Sequence, residues 1–176
     1  KGNTTLELLA KLKPAFKKEN GTVTAGNSAG LNDGAAAMLL ASENTVKQYD
    51  LIPKARLVSS AVVGVEPRVM GIGPVEASKK ALLKAGLSLD DIDIIEFNEA
   101  FAAQCLAVCR LLGLDDNDPR INPNGGAIAL GHPLGMSGTR IIHSAMQQLI
   151  KSQKKYALVA MCVGVGMGYA VVLEKI

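Results

Sequence analysis

Asn124-Gly-Gly-Ala-Ile-Ala-Leu-Gly-His-Pro-Leu-Gly-Met-Ser-Gly-Thr139 is the stretch around which this chain of 176 residues is organised. Its five glycines permit backbone conformations with positive φ and allow a ligand to approach closely. Apolar residues then recur at helical spacing from Ile141 to Ile150, with polar residues such as Lys151 on the other face. The pattern predicts a glycine-rich loop that places His132 just before the start of an amphipathic helix.

His132 has two interpretations from its position alone. A helix N-terminus offers unpaired N–H groups and a partial positive charge to an anion, which favours a binding or catalytic role. Pro133 also fixes the backbone beside the imidazole. A lone histidine is, however, more often a loop residue held by local hydrogen bonds. The position of His132 alone does not distinguish a binding or catalytic role from a structural one.

The composition narrows the class of protein. Hydrophobic residues make up 48% of the chain and aromatic residues only 3%, so small aliphatic side chains must build the core, which favours close packing of helices on a sheet. The net charge is +3 with scattered lysines, which is typical of a solvated surface rather than a nucleic-acid site. No apolar run reaches membrane-spanning length, and we expect no signal peptide and no membrane partner.

The three cysteines, Cys105, Cys109 and Cys162, show no disulfide-framework spacing. Their odd number suits a reducing compartment, so we expect the cytoplasm, with an organelle matrix as the alternative. Cys105 and Cys109 are four apart in a helical pattern and are interpreted as core-facing thiols. A metal would need two further ligands that the sequence does not supply nearby, so we predict no metal site.

Local patterns predict a layered α/β domain with a mixed sheet flanked by helices. The last two strands are expected to form an antiparallel hairpin around the glycine loop 162–168, and the helix at 98–112 is apolar on nearly all sides, which is typical of a buried helix. Helices are predicted from Thr4 to about Pro14, at 35–41, 43–49, from Pro74 to Gly86, at 98–112 and at 141–151, and strands at 22–25, 55–65, 91–97, 156–161 and 169–173.

Two polar segments have alternative interpretations. The glycine- and asparagine-rich loop 26–34 resembles a binding turn, but a plain connection from strand to helix, capped by Asn32 or Asp33, explains it equally well. Asn98 stands at the junction of a strand and a helix, where its amide could cap the helix or point across a cleft. Spacing alone leaves both questions open.

Asn98, His132 and Cys162 are each expected at the end of a strand or in a loop, and a layered α/β fold commonly gathers such positions at one cleft. The combination of Cys and His suggests acid–base or nucleophilic chemistry. N–H donors of the glycine loop and a nearby imidazole could lower the pKa of Cys162 from about 8.5 towards neutrality. Cys162 could equally be a small buried hydrophobe.

The sequences of several motifs resemble those of the thiolase family. They are Gly26-Asn-Ser-Ala-Gly-Leu-Asn-Asp-Gly34, Val69-Met-Gly-Ile-Gly-Pro74, Asn98-Glu-Ala-Phe-Ala-Ala103, Gly125-Gly-Ala-Ile-Ala-Leu-Gly-His-Pro-Leu-Gly135 and Cys162-Val-Gly-Val-Gly-Met-Gly168. The resemblance extends over essentially the whole chain. It implies the thiolase-like layered fold, with a five-stranded mixed sheet covered by helices. It also implies reversible chemistry on acyl-CoA, by Claisen condensation or by thiolytic cleavage of a 3-oxoacyl-CoA.

The resemblance also assigns catalytic roles. His132 matches the histidine that activates the family's cysteine nucleophile and helps to hold a thioester oxygen. Cys162 matches the acid–base cysteine, which exchanges a proton with the carbon α to the thioester. Asn98 matches the residue that positions a water in one oxyanion site, and the Gly164 N–H matches a donor in the other.

Substrate-binding positions follow in the same way. Met70 and Phe101 match residues that line the acyl pocket, and the loop formed by Ser28, Ala29 and Gly30 matches the region beside the pantetheine arm of coenzyme A. Ser28 and Ala29 stand in the reverse order from some members, which puts a serine–CoA contact in doubt. Val165 replaces a glycine common in acetoacetyl-CoA thiolases, a departure that looks more like degradative or oxoadipyl-type members.

Nothing in the chain matches the family's cysteine nucleophile, so the resemblance implies the C-terminal portion of a thiolase. Residues 1–20 are expected to be the tail of a loop domain, 21–51 the end of the N-terminal domain and 52–176 the C-terminal domain. The expected partners are acyl-CoA and CoA, the missing N-terminal half, and further copies in a homodimer or homotetramer. CoA is expected as a substrate, with no separate cofactor.

Two other functions compete with this interpretation. A non-catalytic acyl-CoA-binding or assembly module would account for the missing nucleophile. A dinucleotide-binding oxidoreductase would rest on the glycine loops alone, and the chain lacks an ordered G-x-G-x-x-G with a following acidic residue.

Overall fold

The computed structural model describes residues 2–176, so Lys1, with which the expected loop-domain tail begins, lies outside the described residues. The α-helices of this part are α1 (Leu6–Ala10), α2 (Glu43–Gln48), α3 (Gly73–Ala85), α4 (Ala102–Leu112), α5 (Ala127–Leu130) and α6 (Leu134–Ser152). The strands are β1 (Ala55–Gly64), β2 (Ile94–Phe97), β3 (Tyr156–Val163) and β4 (Met167–Lys175), and 3₁₀ helices span Pro67–Ile72 and Leu89–Asp91.

The strands form one mixed sheet in the order β1-β4-β3-β2. β4 is antiparallel to both β1 and β3, whereas β2 is parallel to β3. The mixed α/β architecture is confirmed, but the sheet of the described residues has four strands rather than the expected five. Beside β2 there is only a single bridge, between Ile95 and Ile121. Asn122 directly after it has φ +43°, which turns the chain before a strand can form.

Helices cover both faces of the sheet. On one face, α3 and α4 contribute Ala77, Ala81 and Val108 to a buried cluster with Ile95 and Phe97 of β2. On the other face, α6 packs Ile141, Ala145 and Leu149 against Ile94 and Val159. Strand residues alternate between the faces. Each residue of β2 therefore points either towards α3 and α4 or towards α6.

Residues typical of helix ends and turns predicted α3 and the hairpin well. Pro74 lies in the first turn of α3, and Gly86 ends the helix in the left-handed conformation at φ +68°. β3 and β4 form the predicted antiparallel hairpin, but both run further than expected. The loop between them is reduced to residues 164–166, so Cys162 lies in a strand rather than in the glycine loop.

Several element predictions were wrong. Residues 22–24 have no regular secondary structure and a turn begins at residue 25, while residues 35–41 are irregular and mostly exposed rather than helical. A seven-residue helix is marginal in water, and most side chains of this segment are exposed, so little burial would stabilise a helix here. A 3₁₀ helix at Leu89–Asp91 delays β2 to Ile94.

The burial predicted for the helix at 98–112 holds on one face only. Gln104, Val108 and Cys109 of α4 are buried, whereas Leu106 and Leu111 are exposed because none of the described residues covers that side. None of the helices within residues 2–176 has the length and apolar character needed to span a bilayer.

Candidate functional site

The Asn98 side chain contacts His132 of the glycine-rich loop rather than capping a helix. The residue follows β2, is fully buried, and its backbone N–H donates to the Ala160 carbonyl of β3 at 3.0 Å. α4 begins only at Ala102, with Phe101 in the capping position. The side-chain nitrogen of Asn98 therefore remains available, and it lies 3.2 Å from Nε2 of His132.

The hydrogen bonds around His132 define its tautomer. Nδ1 lies 2.6 Å from the Ser137 hydroxyl, which itself donates to the Pro133 carbonyl at 3.0 Å. Because that hydroxyl proton is already used, its oxygen accepts the Nδ1–H of the histidine. Nε2 is then unprotonated and accepts the N–H of the Asn98 amide. The ring thus presents a basic nitrogen to the cleft.

The surroundings of His132 favour its neutral form. The ring is half-buried, and burial is the main cause that lowers the pKa of His132, with a second contribution from the positive charge of Arg140. The backbone is held as well, because the N–H of His132 donates to the Gly30 carbonyl at 3.0 Å. A neutral, fixed imidazole is suited to accept a proton near pH 7.

Glu99 and Asn122 attach the glycine loop to the end of β2. The Glu99 carboxylate accepts hydrogen bonds from the Asn122 amide at 2.9 Å and from the Ile128 N–H at 3.1 Å. Asn122 also binds both backbone groups of Phe97, at 2.8 and 2.9 Å. These contacts fix His132 relative to Asn98. Sequence reasoning missed both residues, since their side chains meet across 23 positions of chain.

The loop at residues 28–30 lies beside these groups. The Ala29 N–H donates to the Ala100 carbonyl at 3.0 Å, and Ser28 forms a β-bridge with Phe101. The Ser28 hydroxyl is directed inwards, donating to the Thr24 carbonyl at 2.8 Å. The structure therefore brings this predicted substrate loop to the Asn98 motif and, through Gly30, to His132.

Asn32 does not cap a helix. Its side chain lies against Gly131, where a Cβ would collide with it, and Gly131 has φ +100°. Glycine is required at this close approach between the two predicted loops. The loop 26–34 therefore packs against the glycine loop that carries His132.

Cys162 lies near the end of β3, two residues beyond the Ala160 carbonyl that binds Asn98. Its side chain is only 8% exposed, and burial raises the pKa of the thiol, partly opposed by a backbone hydrogen bond. Of the two interpretations left open for Cys162, the buried thiol therefore fits, and its pKa is raised rather than lowered. Cys162 holds its proton at neutral pH, so it is suited to give a proton to a carbanion. It acts as a base only in its thiolate form, which becomes populated at higher pH.

The other predicted site residues lie around this centre. Gly164 is exposed in the hairpin turn, next to Val165, which is 82% exposed and has φ +61°. Phe101 is half-buried and makes an edge-on contact with Phe16, with ring centroids 5.8 Å apart. Met70 lies in the 3₁₀ helix Pro67–Ile72, which packs on α4 rather than on His132.

Cys105 lies close to Asn98, but its thiol is unreactive. Its thiol lies 3.6 Å from the Asn98 carbonyl, and burial raises its pKa far above the usual range. Cys109 is buried and its pKa is raised for the same main reason. The prediction of core-facing thiols is confirmed for both.

A mainly apolar groove lies away from these residues. It has a volume of about 440 Å³, lies between residues 37–41, β1 and α6, and contains neither Asn98, His132 nor Cys162. Among residues 2–176, no cluster of three or more His, Cys, Asp or Glu side chains is arranged to hold a metal ion.

Comparisons with known proteins identify relatives of this chain. The family description "Thiolase, C-terminal domain" matches residues 51–175, and "Thiolase, N-terminal domain" matches residues 1–44. Beta-ketoadipyl-CoA thiolase of Acinetobacter baylyi is 57% identical over 176 residues, which are 100% of this chain and 44% of that protein. The 3-oxoadipyl-CoA/3-oxo-5,6-dehydrosuberyl-CoA thiolase of Escherichia coli is 56% identical over 98% of this chain and 43% of its own length.

Solved structures show the same relationship. The crystal structure of human mitochondrial 3-ketoacyl-CoA thiolase in complex with CoA superposes with a TM-score of 0.95 at 53% identity, covering 100% of this chain and 44% of that one. The chain thus spans less than half the length of each of these proteins. On sequence and fold alike, it belongs to the thiolase family.

Proposed function

We propose that this chain supplies the acid–base half of an acyl-CoA C-acyltransferase, which cleaves a 3-oxoacyl-CoA with CoA or condenses two acyl-CoA molecules. The observation that carries the proposal is the arrangement Ser137–His132–Asn98. It leaves Nε2 of a neutral imidazole unprotonated beside an amide N–H donor. A thiol-activating base and a donor for a developing oxyanion are what such a reaction needs.

In the cleavage direction, His132 takes the proton of an attacking thiol. The thiolate adds to the 3-oxo carbon, and the bond between C2 and C3 breaks. The electron pair passes to C2 as an enolate, which Cys162 protonates to give acetyl-CoA. The buried, protonated thiol of Cys162 supports this role. The acyl group stays on the attacking thiol as a thioester until CoA takes it over; the proton of the CoA thiol then restores Cys162, and His132 returns its proton to the thiolate that is released. Condensation runs through the same steps in reverse, so Cys162 must then remove the proton.

The oxyanions of these steps require donors. We assign Asn98 to one oxyanion site and the Gly164 N–H to the other. Asn98 is supported by its complete burial, since removing water strengthens a hydrogen bond to developing charge. Ser28, Ala29 and Gly30 are assigned to the pantetheine arm of CoA, and Met70 and Phe101 to the acyl pocket.

The acyl group needs a nucleophilic thiol with a low pKa, and the chain offers none. The pKa values of Cys105, Cys109 and Cys162 are all raised by burial. We infer that the acyl-carrying cysteine comes from an N-terminal thiolase half outside these 176 residues. That half is then the first partner of this chain, within a homodimer or homotetramer. CoA acts as a substrate, and the three free thiols suit a reducing compartment.

The proposal is tested with full-length protein that contains this chain. Acetoacetyl-CoA and 3-oxoadipyl-CoA are each offered with free CoA, and the loss of the 3-oxoacyl thioester is followed by absorbance. Turnover of either substrate is expected, and the ratio of their kcat/KM values gives the acyl preference. The 3-oxoadipyl substrate is included because the relatives from Acinetobacter and Escherichia carry names of that class.

Three variants sharpen the test. His132→Ala is expected to abolish acyl transfer, and Cys162→Ser to block exchange of the α-proton. His143→Gln removes the only other histidine of this chain, whose ring contacts the Ala37 carbonyl away from the site, and is expected to keep normal turnover. Binding of CoA measured by calorimetry without any turnover would contradict the proposal and favour the non-catalytic acyl-CoA-binding module.

A further inference from the structure

Glu99 follows Asn98 directly, in the loop between β2 and α4. Its two carboxylate oxygens have different partners. Oε1 accepts the side-chain N–H of Asn122 at 2.9 Å, and Oε2 accepts the backbone N–H of Ile128 at 3.1 Å. One side chain therefore joins the loop of Asn98 to two separate points of the segment that leads to His132.

Asn122 is a fixed partner for this carboxylate. Its amide accepts the N–H of Phe97 at 2.8 Å and donates to the carbonyl of Phe97 at 2.9 Å. Its backbone N–H donates to the Ile95 carbonyl at 2.8 Å. Because the amide serves both backbone groups of Phe97, its orientation is determined, and it can offer Glu99 only a donor.

Ile128 connects the carboxylate to the proposed base. It lies in α5, which is separated from His132 by Gly131 alone. A displacement of α5 would therefore move the imidazole as well. A Cβ on Gly126, the residue before α5, would overlap the Glu99 carboxylate. The start of α5 thus lies directly against Glu99.

We propose that Glu99 is a positioning residue: its two oxygens hold the loop of Asn98 and the backbone of α5 together, and so set the 3.2 Å contact between Asn98 and Nε2 of His132. Both partners of the carboxylate are donors, so this position needs a side chain with two acceptor oxygens. Hydrogen bonds to a carboxylate are also stronger than those to a neutral group. The inference rests on the proposed function for the roles of Asn98 and His132, but their contact can be measured without turnover.

Glu99→Gln tests the need for two acceptors. The amide keeps the size of the side chain but replaces one oxygen by an NH₂ group. In either orientation a donor then faces the N–H of Asn122 or of Ile128. In full-length protein we expect kcat to fall between about tenfold and a hundredfold, because the base and the amide lose their alignment. KM is expected to change much less, since Glu99 contacts the protein rather than the substrate.

The contact itself is followed by NMR of full-length protein with ¹⁵N-labelled histidine. The ring signals of His132 are identified by their loss in His132→Gln. An unprotonated ring nitrogen changes its ¹⁵N chemical shift when it accepts a hydrogen bond, and Asn98→Ala supplies the shift of Nε2 without this bond. Glu99→Gln is expected to move the Nε2 shift towards that reference value.

Glu76→Gln is the matched control. It makes the same change at an exposed position of α3, where Glu76 pairs with Lys79 at 2.8 Å. Both the Nε2 shift and kcat are expected to keep their wild-type values.

Glu99→Gln leaves a donor without an acceptor and can fail to fold. Glu99→Asp is therefore measured beside it. Aspartate keeps the charge and both oxygens but is one methylene shorter, so it cannot reach Asn122 and Ile128 together, and the Nε2 shift should move in the same direction. An unchanged Nε2 shift or an unchanged kcat in either variant overturns the proposal. A displaced Nε2 shift in a protein without turnover would contradict the proposed function and leave the positioning role of Glu99 standing.

Discussion

Nδ1 of His132 lies 2.6 Å from the hydroxyl oxygen of Ser137, one turn into α6. The hydroxyl proton is committed to the Pro133 carbonyl at 3.0 Å. The serine can therefore act only as an acceptor towards the ring. One short contact thus determines which nitrogen of the imidazole carries the proton, and Nε2 is left as the base.

Ser137→Ala is expected to lower kcat on the order of tenfold to a hundredfold, because the ring loses its tautomer preference and its orientation. ¹⁵N chemical shifts of the His132 ring should show the two tautomers mixing. KM should change less than kcat, since Ser137 contacts the ring rather than the substrate.

Ser152→Ala is the control for this variant. Ser152 is exposed on the same helix, and its hydroxyl donates to the Gln148 carbonyl at 2.7 Å, as Ser137 donates to Pro133. It should leave kcat and the ring spectrum unchanged. Equal activity in the two variants would show that the hydroxyl of Ser137 has no part in preparing the base.

Gly126→Ala is expected to reduce the free energy of unfolding by about 2 kcal/mol. A Cβ at Gly126 would overlap the Glu99 carboxylate. Moving that carboxylate would break its hydrogen bonds to Asn122 and to the Ile128 N–H. The comparison is Gly135→Ala in α6, where a Cβ meets nothing within 4 Å and φ is not positive. Urea denaturation should show Gly135→Ala unchanged or up to about 1 kcal/mol more stable.

The sequence predicted those features that depend on local chemistry. Pro74 and Gly86 act within one helical turn, so both ends of α3 were found. The segment 35–41 was misassigned because alanine favours a helix locally, whereas the segment is irregular and mostly exposed, and His143 of α6 contacts the Ala37 carbonyl.

The candidate site was predicted in part for a similar reason. Asn98 and His132 stand in recognisable motifs, and the structure brings them within hydrogen-bond distance. Glu96 and Arg140 could not be found from the sequence. A charged residue in a strand or helix normally faces water, and only the packing of α6 on β2 turns these two inwards.

Val165→Asn is expected to stabilise the protein by about 1 kcal/mol, because a β-branched residue with φ +61° is strained and asparagine tolerates this conformation. Val165 is 82% exposed, so little packing is lost. Val62→Asn in β1 is the matched control, since Val62 is about half exposed in a regular strand and should lose about 1 kcal/mol. Thermal unfolding of both variants should show a gain of stability for Val165→Asn and a loss for Val62→Asn. A loss of stability in Val165→Asn would show that Val165 is not strained.

Glu96 makes the stability of the protein depend on pH. Burial is the main cause that raises the pKa of Glu96 from 4.5 to about 7, against the opposing charge of Arg140. Between about pH 4.5 and 7 the folded state therefore binds more protons than the unfolded state. The free energy of unfolding falls as the pH rises through this window, by about 3 kcal/mol in total for a pKa difference of this size.

Glu96→Gln cannot titrate, so it should match the wild type near pH 4.5 and exceed its stability above pH 7. Glu43→Gln, at an exposed position of α2, should differ from the wild type by less than about 0.5 kcal/mol at every pH. Urea denaturation across this range measures all three proteins, and a constant difference between Glu96→Gln and the wild type would mean that the carboxylate stays charged beside Arg140.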